Sequence, residues 1–230
     1  MKPLVSCIIP VWNSERFIGE AIGSVLAQTY SPIELIVVDD GSTDNTAQVV
    51  YDAFPDALYV RQENAGSVVA RNNGLTRASG EFIAFLDSDD RWLAHKIERQ
   101  LAEFTLHPEL GCVISRVRLF WEALAAEEAA YRHDNREEVV GCANSTMLVL
   151  HSAFRAVGNF RADLPHTAAP EWFGRFNDAG YVMGTVQEVL VERRMHVDNF
   201  SRRQRAVKHD EFLHLVKRSM DRKRGQSPSA

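Results

Sequence analysis

From Val5 to about His107 the chain alternates short β-branched runs with helical patterns, and no other feature constrains the fold as tightly. Strands separated by helix-length segments pair in parallel and carry each connection across a sheet face. The pattern therefore predicts an α/β domain with a mostly parallel central sheet flanked by helices. Val5-Ser6-Cys7-Ile8-Ile9 reads as a first strand, followed by a helix with Phe17, Ile18, Ala21, Ile22, Val25 and Leu26 on one face and Asn13 or Ser14 as its cap. Leu35 to Val38 is a second strand, Ser42-Thr43-Asp44 offers caps for a helix to about Ala53, and Ala57 to Val60 is a third strand. Ser67 to Ala78 reads as a helix stopped by Gly80. Phe82 to Leu86 is a buried strand, Leu93 to His107 an amphipathic helix, and Cys112 to Leu119 a fifth strand.

The second half is less regular. Glu122 to Glu138 is rich in Ala and acidic residues and reads as an exposed helix or a loop over a site. Ser145 to Leu150 and Val186 to Val191 read as strands, Ser152 to Val157 and Glu171 to Ala179 as helices, the latter ending at Gly180. No repeat or long linker divides the chain, so residues 1–224 are expected to form one domain, with 201–224 a C-terminal helical segment and 225–230 a disordered tail.

Two strands end in carboxylates. Asp87-Ser88-Asp89-Asp90 follows Phe82-Ile83-Ala84-Phe85-Leu86, and Asp39-Asp40-Gly41-Ser42 follows the second strand. In open α/β sheets ligands bind outside the carboxyl ends of the strands, and clustered carboxylates suit a hard cation such as Mg²⁺ or Mn²⁺. The alternative for the first cluster is a helix N-terminus, since Arg91-Trp92-Leu93 opens a helical pattern, although one cap needs one carboxylate and not three. Asp40 can accept from a base imide or a ribose hydroxyl, or it can belong to a plain capped turn. Arg71, on the first turns of its helix, can reach phosphate or a neighbouring carboxylate, or lie solvated.

A formal net charge of −5 argues against non-specific nucleic-acid binding, while the basic stretch from Arg202 to Arg224 reads as a solvated surface or a docking face with possible peripheral membrane contact. Pro10 interrupts the N-terminal apolar run and no stretch approaches the ~20 apolar residues of a membrane span, so a cytoplasmic protein is expected. Cys7, Cys112 and Cys142 lack metal-ligand spacing and read as structural, reduced thiols.

Taken together, Val5 to Asn13, Ser24 to Tyr30, Ile36 to Asp44, Asn64-Ala65-Gly66, Ala70-Arg71-Asn72 and Leu86 to Asp90 resemble the inverting family 2 glycosyltransferases with their GT-A fold, in family order across nearly the whole first half. The resemblance implies a Rossmann-like nucleotide-sugar-binding half over residues 1–110 and an acceptor half over 111–200. Pro10, Val11, Asn13 and Asp40 would line the nucleoside pocket, and Ser67, Arg71, Asp87 and Ser88 would complete the donor site. Asp87 and Asp89 match the family's DxD element, with Asp89 on a Mn²⁺ or Mg²⁺ ion and Asp87 on ribose or metal. Arg193-Arg194-Met195-His196 resembles the family's Arg-x-His element, with Arg194 as a diphosphate clamp and His196 as a metal ligand.

Inverting transfer also needs a general base for the acceptor hydroxyl. The family's usual Glu-Asp pair is replaced here by Ala168-Ala169, which leaves Glu171 as the nearest carboxylate and the expected base; Trp172 beside it is the tryptophan to test for acceptor contact, although most tryptophans serve core or rim packing. The alternative for Glu171 is a first-turn residue that complements the helix dipole. The donor implied is a UDP-sugar, and the acceptor a glycan, lipid-linked sugar, peptide or small molecule; a homodimer is compatible with the sequence. A binding protein of the same fold without turnover is the main alternative. A nucleotidyltransferase is disfavoured, because the first strand leads into Pro10-Val11-Trp12-Asn13 and not into a Gly-rich loop.

Overall fold

The strands form where the sequence alternates around buried β-branched residues, and β1 shows the rule in its purest form. In β1 (Val5–Val11) the side chains of Val5, Cys7, Ile9 and Val11 join one core and Ile8 joins another on the opposite face, the period-2 division of a strand buried on both sides. The computed structural model describes residues 2–121, 138–140 and 143–196. Cys142, the basic stretch 202–224, the helical segment expected at 201–224, the tail 225–230, and all but the last residue of the stretch from Glu122 to Glu138 lie outside the described residues.

After β1 come α1 (Ile18–Leu26), β2 (Ile33–Asp39), α2 (Thr46–Ala53), β3 (Leu58–Arg61), α3 (Ser67–Leu75), β4 (Phe82–Phe85), β5 (Arg91–Trp92) and α4 (Lys96–Leu106). The second half adds β6 (Leu110–Trp121), β7 (Glu138–Val140), a single 3₁₀ turn at Asn144–Thr146, β8 (Leu148–Leu150), α5 (His151–Val157), α6 (Ala168–Asp178) and β9 (Val182–Met195). The sheet order is β3-β2-β1-β4-β8-β6-β9-β5, with β7 paired to β6 beside this path. The first four strands in that order are parallel, as the alternation predicts; beyond β4 the pairing is antiparallel except between β6 and β9.

One core packs α1, α2 and α4 on one face of the sheet, and the other packs α3, α5 and α6 on the opposite face. Helix α3 lies so close to β1 that a Cβ on Gly74 would stand 2.4 Å from Ile8 Cγ2, closer than any two such carbons pack. Register does the rest. Val11 pairs with Asp39 and Ile8 with Phe85, so the chain leaves β1, β2 and β4 at one edge of the sheet.

The structure corrects several boundaries. Arg91-Trp92 does not open a helix: it forms β5 against β9, Leu93 N–H donates to Leu190 O at 2.9 Å, and α4 begins only at Lys96. Helix α3 ends at Leu75, and Gly80 is no helix stop; a Cβ there would lie 2.7 Å from the Ser6 backbone nitrogen, so Gly80 is a contact point between two chain segments. Ser145 belongs to the 3₁₀ turn, which shortens the strand expected from Ser145 to Leu148–Leu150. Strands β6 and β9 run well past their apolar cores because they pair with each other along most of their length, a long-range contact that local pattern does not encode.

Candidate active site

Three connections meet at the carboxyl edge, and hydrogen bonds bolt them together. Asn13 adopts φ 47°, a left-handed conformation that Asn tolerates better than bulkier residues. Its N–H donates to Ser42 Oγ at 2.9 Å and its Oδ1 accepts from Thr43 N–H at 2.8 Å, which fixes the exit of β1 against the exit of β2. Gly41, at φ 78°, permits the turn that follows Asp40.

Asp39 is fully buried and accepts from Ser42 N–H at 2.7 Å and from the Tyr59 hydroxyl, so it serves the turn. Asp40, also buried, accepts from Gln62 Nε2 and Ala65 N–H on Oδ1 and from Gly66 N–H on Oδ2, each at 2.8 Å. It thereby holds the loop that leads into α3, and only part of its accepting capacity remains for a nucleoside. Pro10 and Val11 are buried in β1, beneath the edge, while Trp12 is 54% exposed at its rim.

The second acidic turn divides its labour. Asp87 Oδ1 lies 2.5 Å from Arg71 Nη2, Arg71 Nη1 donates to Ser67 Oγ at 3.2 Å, and Asp87 N–H donates to Ser145 Oγ at 3.1 Å. Ser88 Oγ sits 2.9 Å from Ser14 Oγ. Asp89 Oδ2 faces His196 Nε2 at 3.1 Å. The side chains of Asp87 and Asp89 keep 36% and 26% exposure, whereas Asp90 is sealed, accepting from Ser145 Oγ at 3.2 Å and Arg194 N–H at 3.1 Å. Burial first, then the charges of Asp89 and Asp87, push the Asp90 carboxyl well above the usual carboxylate range. Asp87 and Asp89 face the solvent edge; Asp90 anchors the turn.

Arg194 donates from Nε to Asp89 O at 3.1 Å and pairs with Glu20, its guanidinium carbon 5.0 Å from the Phe17 ring centroid and 4.6 Å from that of Phe120. Glu20 also pairs with Arg91, which bonds Glu192 at 2.5 Å, and Glu192 pairs with Arg118. Burial works against ionising Glu20, yet hydrogen bonds and charge from Arg91 and Arg194 hold it below the usual range. The family resemblance points to Arg194 and His196 but not to Glu20, to Asp90's anchoring role or to Ser145. Glu20 stands 174 residues from Arg194, and no local signal marks such a pair.

Among the described residues no three His, Cys, Asp or Glu side chains converge as a metal cluster. Asp89 and His196 nevertheless present one carboxylate oxygen and one imidazole nitrogen to each other. That donor set fits Mn²⁺ or Mg²⁺ when substrate phosphates and water fill the other positions, which is how Mg²⁺ is commonly held.

Glu171 lies in the first turn of α6 and is buried, with Arg175 Nε at 3.1 Å from Oε1 and 3.0 Å from Oε2. Arg175 in turn donates to Val157 O at 2.5 Å and Asn159 O at 2.7 Å, so the pair is fixed to the end of α5. Trp172 is not a platform for an acceptor: it is fully buried, donates to Gly158 O at 2.8 Å and stacks on Phe154 at 4.3 Å. Phe85 of β4 packs edge-on against Phe154 and Phe160, and the Phe160 backbone exchanges two hydrogen bonds with the Asn72 amide, at 2.8 and 3.1 Å. This aromatic cluster fastens α6 to the strand that ends in Asp87 and to the helix that carries Arg71.

A parallel half with acidic exits, joined through β4 to a largely antiparallel half, defines a GT-A domain. The chain belongs to glycosyltransferase family 2: the family described as "Glycosyl transferase family 2" matches residues 6–156. It is 44% identical over 118 residues to a putative teichuronic acid biosynthesis glycosyltransferase, TuaG, of Bacillus subtilis, covering 50% of this chain and 46% of that protein. It is 49% identical over 102 residues to WfgD of Escherichia coli, a UDP-Glc:alpha-D-GlcNAc-diphosphoundecaprenol beta-1,3-glucosyltransferase, covering 43% of this chain and 40% of that one. The chain thus spans about half the length, or less, of these relatives. Two solved structures share the fold at 19% identity. TarS 1-349 of S. aureus in complex with UDP-GlcNAc has a TM-score of 0.69 over 92% of this chain and 65% of its own. The mannosyltransferase PcManGT of Pyrobaculum calidifontis, in complex with GDP-Man and Mn²⁺, has a TM-score of 0.70 over 94% and 65%.

Proposed function

We propose that the protein transfers a sugar from a UDP-sugar to a hydroxyl of a glycan acceptor, with inversion at the anomeric carbon. The observation that carries this reading is the pair of half-open carboxylates at one edge of the parallel strands, Asp87 against Arg71 and Asp89 against His196. The UDP moiety is chosen because TarS was solved with UDP-GlcNAc and WfgD is named for UDP-Glc; a lipid-linked glycan acceptor follows the WfgD name. Buried, reduced thiols at Cys7 and Cys112 suit a reducing, cytoplasmic setting.

Asp89 and His196 would hold a Mn²⁺ or Mg²⁺ ion, which when bound neutralises charge developing on the departing diphosphate. Asp40 receives the nucleoside with its remaining acceptor capacity, assisted by Asn13 and the buried floor of Pro10 and Val11. Arg71, held by Ser67 and Asp87, supplies positive charge beside the donor, and Arg194, buried and engaged by Glu20, buttresses the Asp89 backbone in place of the diphosphate clamp that the resemblance implies. Ser88 and Ser14 join the turn to the β1 exit.

Glu171 takes the proton from the acceptor hydroxyl as the new glycosidic bond forms, in the orientation that Arg175 imposes. Glu171→Gln keeps the shape and removes the base. It should lower kcat by at least ~100-fold, in line with general-base contributions, while UDP binding measured by calorimetry with Mn²⁺ stays within twofold. A variant that still transfers sugar at the parent rate would remove Glu171 from the chemistry and leave it as an anchor for Arg175.

A further inference from the structure

The start of helix α1 touches both residues of the β9 end that the site uses. Phe17 and Glu20 stand three residues apart, a spacing that puts them on one face of the helix. The Phe17 ring centroid lies 5.0 Å from that of His196 and 5.0 Å from the Arg194 guanidinium carbon, which Phe120 covers at 4.6 Å. Glu20 meets the same guanidinium at Nη2, while Arg194 Nε donates to Asp89 O at 3.1 Å. One arginine therefore couples a carboxylate of α1 to the backbone of the residue whose side chain faces His196.

The Glu20 carboxylate serves two arginines, one on each oxygen: Arg91 Nη1 meets Oε1 and Arg194 Nη2 meets Oε2. Arg91 has a second carboxylate in Glu192, which also takes Arg118. Glu20 thus compensates the charge of Arg194 and, with the two aromatic rings, fixes the plane of its guanidinium. A guanidinium released from Glu20 but still bonded to the Asp89 backbone can turn to the carboxylate of that same residue, the group that a divalent cation also needs.

We propose that Glu20 is a positioning residue of the donor site: by engaging Arg194 it keeps the Asp89 carboxylate and His196 available to the divalent cation that accompanies the sugar nucleotide. This role rests on the donor reading above. It acts through Arg194, and Glu20 itself touches neither cation nor donor.

Glu20→Gln separates the role from simple packing. An amide has one acceptor oxygen where a carboxylate has two, so it cannot serve both arginines and turns its NH₂ toward one of them. The Mn²⁺ concentration that gives half-maximal UDP binding is measured by calorimetry for the parent, Glu20→Gln, Arg194→Met and the double variant, beside each unfolding midpoint. Glu20→Gln should raise that concentration by about 10-fold, the lower end of what residues that orient metal ligands contribute, while UDP affinity at saturating Mn²⁺ stays within twofold. Methionine fills the space between Phe17 and Phe120 without a charge, so in the Arg194→Met background Glu20→Gln should add nothing. Glu20→Asp, charged but too short to bridge both arginines, is the second variant should Glu20→Gln fail to fold, and it should shift the Mn²⁺ requirement in the same direction. An unchanged Mn²⁺ requirement, even with a lowered unfolding midpoint, makes Glu20 a purely structural residue and overturns the inference; so does a shift of equal size in the Arg194→Met background. Both results leave the donor reading standing, since the parent still binds UDP with Mn²⁺. If the parent binds no UDP, or binds it equally well without Mn²⁺, the reading of the site has failed and takes the inference with it.

Discussion

Lys96 lies at the start of α4 with no solvent exposure, its Nζ donating to Gln100 Oε1 at 2.7 Å and sitting 4.2 Å from the Trp92 ring centroid. Burial drives its ammonium from the ordinary 10.5 down to about 7, against a smaller opposing influence from Cys7 and Cys112. The unfolded chain therefore binds this proton up to its ordinary pKa, while the folded chain releases it near neutrality. Between those values the unfolded state holds more protons, so stability rises with pH; the penalty is complete below about pH 7 and vanishes above the unfolded pKa. At about 1.4 kcal/mol per unit, the charged lysine costs the fold roughly 5 kcal/mol at neutral or lower pH.

Lys96→Met keeps the length and removes the charge. It also strands Gln100 Oε1, whose amide cannot turn because Nε2 donates to Val113 O and Thr146 O, both at 2.8 Å. That loss takes back about 1–3 kcal/mol. The variant should therefore be more stable by about 2–4 kcal/mol at pH 7, read by urea denaturation with a shifted midpoint and an unchanged slope. Its advantage should shrink by about 1.5 kcal/mol between pH 7 and 8.5; the thiols, which begin to titrate there when unfolded, are common to both proteins and cancel in the difference. A variant less stable than the parent, or an advantage that does not change with pH, would refute the reasoning.

Two further substitutions test other parts of the structure. Asp89→Asn should raise the Mn²⁺ concentration needed for half-maximal UDP binding by at least ~10-fold with little change in unfolding midpoint, because the side chain is partly exposed and on the proposed reading holds the cation; metal-independent binding in the parent would overturn this role. Trp172→Ala should destabilise by ~3–5 kcal/mol, since it empties the centre of the Phe154, Phe160 and Phe176 cluster and strands Gly158 O; a loss under about 1 kcal/mol would contradict its place in the core.

The parallel half was legible because each strand there is a β-branched run bounded by turn residues, and because family-like blocks fall at strand exits. Asp87, Asp89 and Arg71 lie in such blocks and Ser67 directly follows one; the structure joins Ser67, Arg71 and Asp87 through direct contacts, while Asp89 meets His196. What sequence pattern misread was decided at long range. Arg91-Trp92 looks helical until β9 takes its backbone, and Trp172 looks available until four phenylalanines close around it. Glu20 and Lys96 are individually ordinary residues on helices. Their significance lies in the partners and burial they gain once segments far apart in sequence come together.

Asp90 gives the acidic turn a dependence on the end of the described chain. Its carboxyl grips the Arg194 backbone in β9, 104 residues onward, and the 3₁₀ turn through Ser145, while Asp89 meets His196 just past the same strand. Asp87 is held by Arg71 and Ser145 without β9, whereas Asp89 and Asp90 take their places only when β9 docks. A chain ending before β9 would leave Asp89 and Asp90 loose and mutually repelling, so the proposed donor site and the fold are completed together.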